Sequence, residues 1–141
     1  MVKLTEGQNW FDGQVHIWDE IVRPIIQQKD YCRALEIGSW EGGSACWILS
    51  ELCSGSDLRN QLVCIDHFDM MSTEAGRNRW ELFNNNLRDT GLIDRTRVLT
   101  QFSTPALFKL MNEQINEKSE GFNLIYIDAP NRSDDTLLDA E

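Results

Sequence analysis

Residues 34–49 read Ala-Leu-Glu-Ile-Gly-Ser-Trp-Glu-Gly-Gly-Ser-Ala-Cys-Trp-Ile-Leu. A short apolar strand, Ala34 to Ile37, runs into Gly38. The chain then turns through a glycine-rich loop and enters a helix predicted over Ser44 to Leu52, which Ser54-Gly55-Ser56 ends. Glycine permits a sharp turn and lets a ligand approach the backbone. The helix N-terminus behind it offers unpaired N–H groups and the positive end of a dipole, which suit a carboxylate or a phosphate. The spacing is G-x-x-x-G-G, from Gly38 to Gly42 and Gly43. Dinucleotide folds use G-x-G-x-x-G, so a nicotinamide cofactor is disfavoured.

The same strand-then-helix unit recurs downstream. Leu62 to Ile65 is a second apolar strand, stopping at Asp66. A helix follows from about Ala75 to Arg88, and Gly91 marks its end. Arg97 to Thr100 reads as a third strand. Leu107, Leu110, Met111 and Ile115 then return to helical spacing. Phe122 to Ile127 is the fourth strand, closed by Asp128, and Asp134 to Glu141 reads as another helix. Upstream, Trp10, Phe11, Val15, Ile17, Trp18, Ile21, Val22, Ile25 and Ile26 also fall at helical spacing. Asp12 is the expected N-cap there, and Pro24 is expected to kink or split that helix. One domain over 1–141 is therefore expected, with an N-terminal helical segment (1–30) and a β/α core (31–141). Strands alternating with helices predict an α/β fold with a doubly wound parallel sheet of about four strands. The unbroken apolar character of the strands predicts burial on both faces.

Composition narrows the function. The chain has 141 residues, 41% hydrophobic and 26% charged, ordinary values for one globular core. No apolar run is long enough to span a membrane, which takes roughly 20 residues. The N-terminus lacks the apolar stretch of a signal peptide, so a cytoplasmic location is expected. Net charge is −10, which solubilises the surface and argues against nucleic acid as a partner. Cys32, Cys46, Cys53 and Cys64 form no C-x-x-C pair and read as small buried apolar residues rather than metal or redox ligands.

In such sheets ligands bind beyond the carboxyl ends of the strands, where strand order reverses. Four segments place chemistry there. The first is the loop with Glu36, Gly38, Ser39, Trp40, Gly42 and Ser44. The second is Asp66-His67, 30 residues after Glu36. Asp66 either accepts hydrogen bonds from a ribose diol or caps its own turn. His67 is either a ligand contact or a polar loop residue. The third is Phe102-Ser103. Phe102 can pack on an adenine face, and Ser103 either meets an adenine edge or N-caps the next helix ahead of Pro105. The fourth is Asp128, whose carboxylate either faces the reacting centre, where it can hold a divalent metal or accept a proton, or caps its own loop.

Together these segments resemble the class I S-adenosylmethionine-dependent methyltransferases. ALEIGSWEGGSACWIL is similar to the first motif of that family, LVCIDHFD to the second and NLIYIDA to the strand-four motif. NWFDGQVHIWDEIV, NLRDTGLIDRTRVL and IDAPNRSDDTLLDAE further resemble its "methyltransferase domain 24" branch. The resemblance implies a Rossmann-like, three-layer α/β/α fold and S-adenosyl-L-methionine as cofactor. It implies methyl transfer to an acceptor, a small molecule such as a sugar or phenol. The alternative is an inactive methyltransferase-like domain that binds cofactor or a partner. By the same resemblance Gly38, Ser39, Trp40, Gly42 and Ser44 would wrap the methionine part of the cofactor. Glu36 would support that loop and the ammonium, Asp66 with His67 would hold the ribose, and Ser103 with Phe102 would border the adenine. Asp128 would lie near the methyl group, where its counterpart in metal-dependent relatives is a metal ligand; it is also the candidate catalytic base where the acceptor must lose a proton. Asn131 stands where this branch carries histidine. The family continues past strand four, so the resemblance implies a C-terminally truncated domain: a fragment, a truncated gene product, or one half of an assembly in which a second copy or a partner chain covers the β-edge.

Overall fold

A computed structural model describes residues 2–128. Asn131 and the helix expected over 134–141 lie outside the described residues. Among the described residues four parallel strands form one sheet: β1 (Arg33–Ile37), β2 (Gln61–Ile65), β3 (Thr96–Leu99) and β4 (Leu124–Ile127). Their order across the sheet is β3-β2-β1-β4. Helices α1 (Gly43–Leu52), α2 (Glu74–Asp89) and α3 (Ser103–Glu117) connect them in turn.

The sheet splits the core in two, and the alternation along β1 and β2 shows how. Ala34, Leu62 and Cys64 turn to one face and pack with Ala45, Ile48 and Leu49 of α1 and Phe83 and Leu87 of α2. Leu35, Ile37, Val63 and Ile65 turn to the other and pack with Ala106 of α3. Both faces are covered by helices, giving three layers. Burial of residues 34–37 and 62–65 explains their apolar sequence, which Glu36 alone interrupts. β3 and β4 lie at the edges and are only partly buried, and Ile125 of β4 is exposed.

Residues 10–27 form one helical run on the α1 face. Phe11 and Trp18 pack edge-on against each other, and both meet Trp47 of α1 and Tyr126 of β4. One expectation is corrected here. Asp12 is not the N-cap: the run starts at Trp10 after Asn9, whose side chain instead donates to Asp12. At Pro24 the run changes character, as a kinked or split helix would. The proline stands in the first turn of the closing segment, Arg23–Gln27, behind a wider π-type turn over Trp18–Val22. Proline has no N–H to contribute, and the first turn of a helical segment loses least by that.

α2 begins one residue before its expected start. Thr73 caps it, its Oγ1 accepting the Gly76 N–H at 2.9 Å. That places Gly76 hard against the turn that follows β2, a contact that limits what residue 76 can be.

Candidate active site

Strand order reverses between β1 and β4. The carboxyl ends of the strands frame a cavity of about 740 Å³ there. Its floor is the loop from β1 to α1. Gly38 (φ 88), Trp40 (φ 50) and Gly42 (φ 91) are all left-handed in that loop. Gly42 has a second constraint, since a Cβ on it would stand 3.1 Å from the Phe83 ring. The loop is tied to the sheet by the Gly38 N–H, which donates to the Ile65 carbonyl at 2.8 Å.

Asp66, nearly buried at the end of β2, holds the loop from the other side. Its Oδ2 accepts the Trp40 N–H at 2.8 Å and its Oδ1 accepts the Phe68 N–H at 2.9 Å. Each oxygen keeps a further lone pair, so the turn-capping role and a ligand role are compatible. His67 Nδ1 accepts the Asp69 N–H at 2.9 Å, and its ring stacks on Phe102 with centroids 4.7 Å apart. One face of Phe102 is therefore taken by His67.

The chain from Phe68 to Met71 runs through four consecutive left-handed residues, none of them glycine (φ 44, 52, 52 and 60). Each costs roughly 1–2 kcal/mol relative to right-handed backbone. Side chains hold this turn in place. Asp69 accepts from Thr73 Oγ1 at 2.7 Å and from Arg79 at 3.1 Å. Arg79 also lies over the Trp40 ring, 4.2 Å from its centre. The Trp40 indole in turn donates to Gln8 at 2.8 Å and meets Trp10 edge-on.

Glu36 sits beneath the loop and does not line the cavity. It is fully buried and accepts the Ser44 hydroxyl, with the Cys64 thiol 3.9 Å from its other oxygen. Burial raises its pKa from 4.5 to about 7. The Ser44 and Ser39 hydroxyls oppose that rise, and Asp128 and Asp66 reinforce it. A raised carboxyl favours the fold in its protonated form. Its contribution is complete below pH 4.5 and is lost as pH climbs through about 7. The loss corresponds to about 3 kcal/mol. Glu36→Gln is therefore expected to remove about that much of the decline in stability between pH 5 and pH 8, measured by urea unfolding. Parallel pH profiles for parent and variant would refute the assignment.

Asp128 closes β4, and its N–H donates to the Ile37 carbonyl at 2.8 Å. Its carboxyl faces the cavity and is raised by partial burial. Among the described residues no group of three or more His, Cys, Asp or Glu side chains could hold a metal ion.

Of the residues singled out from sequence, Gly38, Ser39, Trp40, Ser44, Asp66, His67, Phe102, Ser103 and Asp128 line one cavity. Glu36 and Gly42 stand behind it and shape its wall. The alternative of Ser103 as an N-cap is corrected: Phe102 occupies that position in extended conformation, and Ser103 is the first residue of α3. Leu4, Gln8, Trp10, Asp69, Arg79 and Gln101 also line the cavity and were missed. Trp10 and Phe11 had shown only a helical period.

A family profile described as a methyltransferase domain matches residues 35–141. The chain belongs to this methyltransferase family. No curated protein matches the chain. Among solved structures, this methyltransferase domain is similar to one assigned as an O-methyltransferase from Klebsiella pneumoniae (22% identity, TM-score 0.57), over 89% of this chain and 47% of that one. It is similar also to the O-methyltransferase TomG from Streptomyces achromogenes, involved in tomaymycin synthesis and solved with S-adenosylmethionine (18% identity, TM-score 0.52), over 92% and 56%. At these identities the likeness is one of fold. The methyltransferase domain spans about half the length of both.

Proposed function

We propose that this methyltransferase domain binds S-adenosyl-L-methionine in the cavity at the strand switch and takes part in methyl transfer to a small-molecule acceptor. The observation that carries the reading is Asp66, which fixes the glycine loop through Trp40 and still presents two carboxylate oxygens at the end of β2. The residues present fit such a group. Ser39 is buried with a hydroxyl that makes no well-formed hydrogen bond, and the loop before α1 leaves helix N–H groups for a carboxylate. Bound, the cofactor supplies a methyl carbon made electrophilic by its sulfonium.

The rest falls to the chain's own side chains. Asp66 accepts the ribose hydroxyls. Gly38, Ser39, Trp40, Gly42 and Ser44 surround the amino-acid end, with Glu36 bracing Ser44 from below. His67, Phe102 and Ser103 border the base. Most of the rate advantage comes from orientation, on the order of 7–11 kcal/mol. Asp128 takes a proton where the acceptor must lose one. The net charge of −10 disfavours a polyanionic acceptor. Four buried free thiols suit a reducing, cytoplasmic setting. Among the described residues no helix is long and apolar enough to cross a membrane.

Calorimetric titration with S-adenosylhomocysteine, with NAD as competitor, tests the cofactor. Micromolar binding indifferent to NAD is expected; binding of NAD alone would replace this reading with a dinucleotide one. Asp128→Ala is expected to lower turnover by about 100-fold, the low end for a general base. Cofactor affinity should stay within about threefold. Methyl transfer from labelled cofactor to a panel of phenols and sugars gives the first number and calorimetry the second. A loss confined to affinity would remove Asp128 from the chemistry.

A further inference from the structure

Arg79 of α2 touches both loops that frame the cavity. Its Nη2 donates to Asp69 Oδ1 at 3.1 Å, in the left-handed turn after β2. Its guanidinium carbon lies over the Trp40 ring, 4.2 Å from the centre, in the loop after β1. The two loops converge on one carboxylate. The Trp40 N–H donates to Asp66 Oδ2, and the N–H of Phe68, next to Asp69, donates to Asp66 Oδ1. Trp40, Phe68 and Asp69 are non-glycine residues at φ 50, 44 and 52. Backbone of that kind persists only where its surroundings hold it.

We propose that Arg79 is a positioning residue for the cofactor, a cross-brace that locks the two loops together and thereby aims the Asp66 carboxylate. The inference rests on the reading of the cavity as an S-adenosylmethionine site. The residue type matters. A guanidinium donates from its edge while stacking through its face, and an ammonium cannot do both at one distance. The Arg79 side chain is only 11% exposed. Its contacts to Trp40 and Asp69 join the two loops, while its Nε–H, buried at the cavity wall, has no hydrogen-bond partner among the described residues; a double variant of Arg79 and Asp69 separates a brace from a direct ligand contact.

Amide hydrogen exchange of the ligand-free protein, followed by NMR, tests the brace without any ligand. In Arg79→Met, protection of the Trp40 and Phe68 amides is expected to fall by about tenfold, while the β1 and β2 amides keep theirs. In calorimetry S-adenosylhomocysteine affinity should fall by about tenfold in Arg79→Met and in Asp69→Asn. The double variant should be no weaker than the worse single, because either change breaks the same bridge. Arg79→Lys keeps the charge beside Asp69 and should fall between; it carries the test if Arg79→Met does not fold. Unchanged protection at both amides would overturn the proposal. Losses that add in the double variant would overturn it too, by making Arg79 an independent ligand contact. Failure of the parent to bind S-adenosylhomocysteine would sink the cofactor reading instead, and the exchange result would still decide whether Arg79 braces the loops.

Discussion

Asp66→Ala is expected to weaken S-adenosylhomocysteine binding by about 100-fold or more. The carboxylate accepts two backbone N–H groups, from Trp40 and Phe68, in a nearly buried setting. Hydrogen bonds to a charged acceptor contribute roughly 1.5–3 kcal/mol each. Removal strands both donors and releases two left-handed segments, which the ligand must then order at its own expense, and any ribose contact is lost as well. Two bonds at the lower figure already reach about 3 kcal/mol, and each 1.4 kcal/mol is a factor of ten. Asp66→Asn retains one acceptor oxygen and should lose less. Calorimetry on both variants, with thermal unfolding to confirm that they fold, checks the order. An Asp66→Ala affinity within threefold of the parent would mean that the carboxylate serves the turn alone.

Gly76→Ala is expected to destabilise the fold, against the helix propensity of alanine. A Cβ there would stand 2.3 Å from the Phe68 carbonyl oxygen and 2.9 Å from the Asp69 Cβ. Alanine is the better helix former by about 1 kcal/mol, so propensity alone predicts a gain. Steric conflict reverses the sign. The atoms in the way are backbone and Cβ rather than the end of a flexible chain, and the turn that carries them is fastened through Asp69 to Thr73 and Arg79. Overpacking of this kind costs about 3 kcal/mol. A net loss of about 2 kcal/mol remains, read as a lower urea midpoint. Gly13→Ala, in the N-terminal helical run with open space around it, is the control and should not lose stability. Equal midpoints for Gly76→Ala and the parent would show that the turn yields.

The sheet was legible because β1 and β2 are apolar on both sides, Glu36 apart, and each stops at a polar or glycine residue. The edges were less so. Thr100, Phe122 and Asn123 were drawn into strands but lie outside them, since a strand with one paired side ends where its partner's hydrogen bonds end. The glycine loop, Asp66 and Asp128 announce themselves because a glycine or a carboxylate straight after an apolar strand has few other uses. Arg79 did not. On α2 it looks like any solvated charge, and its role comes from Trp40, far away in sequence. The left-handed turn was invisible for a related reason. His-Phe-Asp-Met-Met contains no glycine or asparagine to signal positive φ, and tertiary bonds to Asp69 impose the conformation.

Strands β1, β2 and β3 are neighbours in both sequence and sheet, so this half can zip up as each piece leaves the ribosome. β4 must return past them to the free side of β1, where Ala34 pairs with Leu124, ninety residues on. Such closure is slow and comes late. Asp128, which completes the cavity, arrives only with that strand. A half-assembled sheet therefore offers the ligand no finished pocket. Ligand that binds only the form with β4 in place favours that form by mass action, so the cofactor would select copies in which β4 has docked.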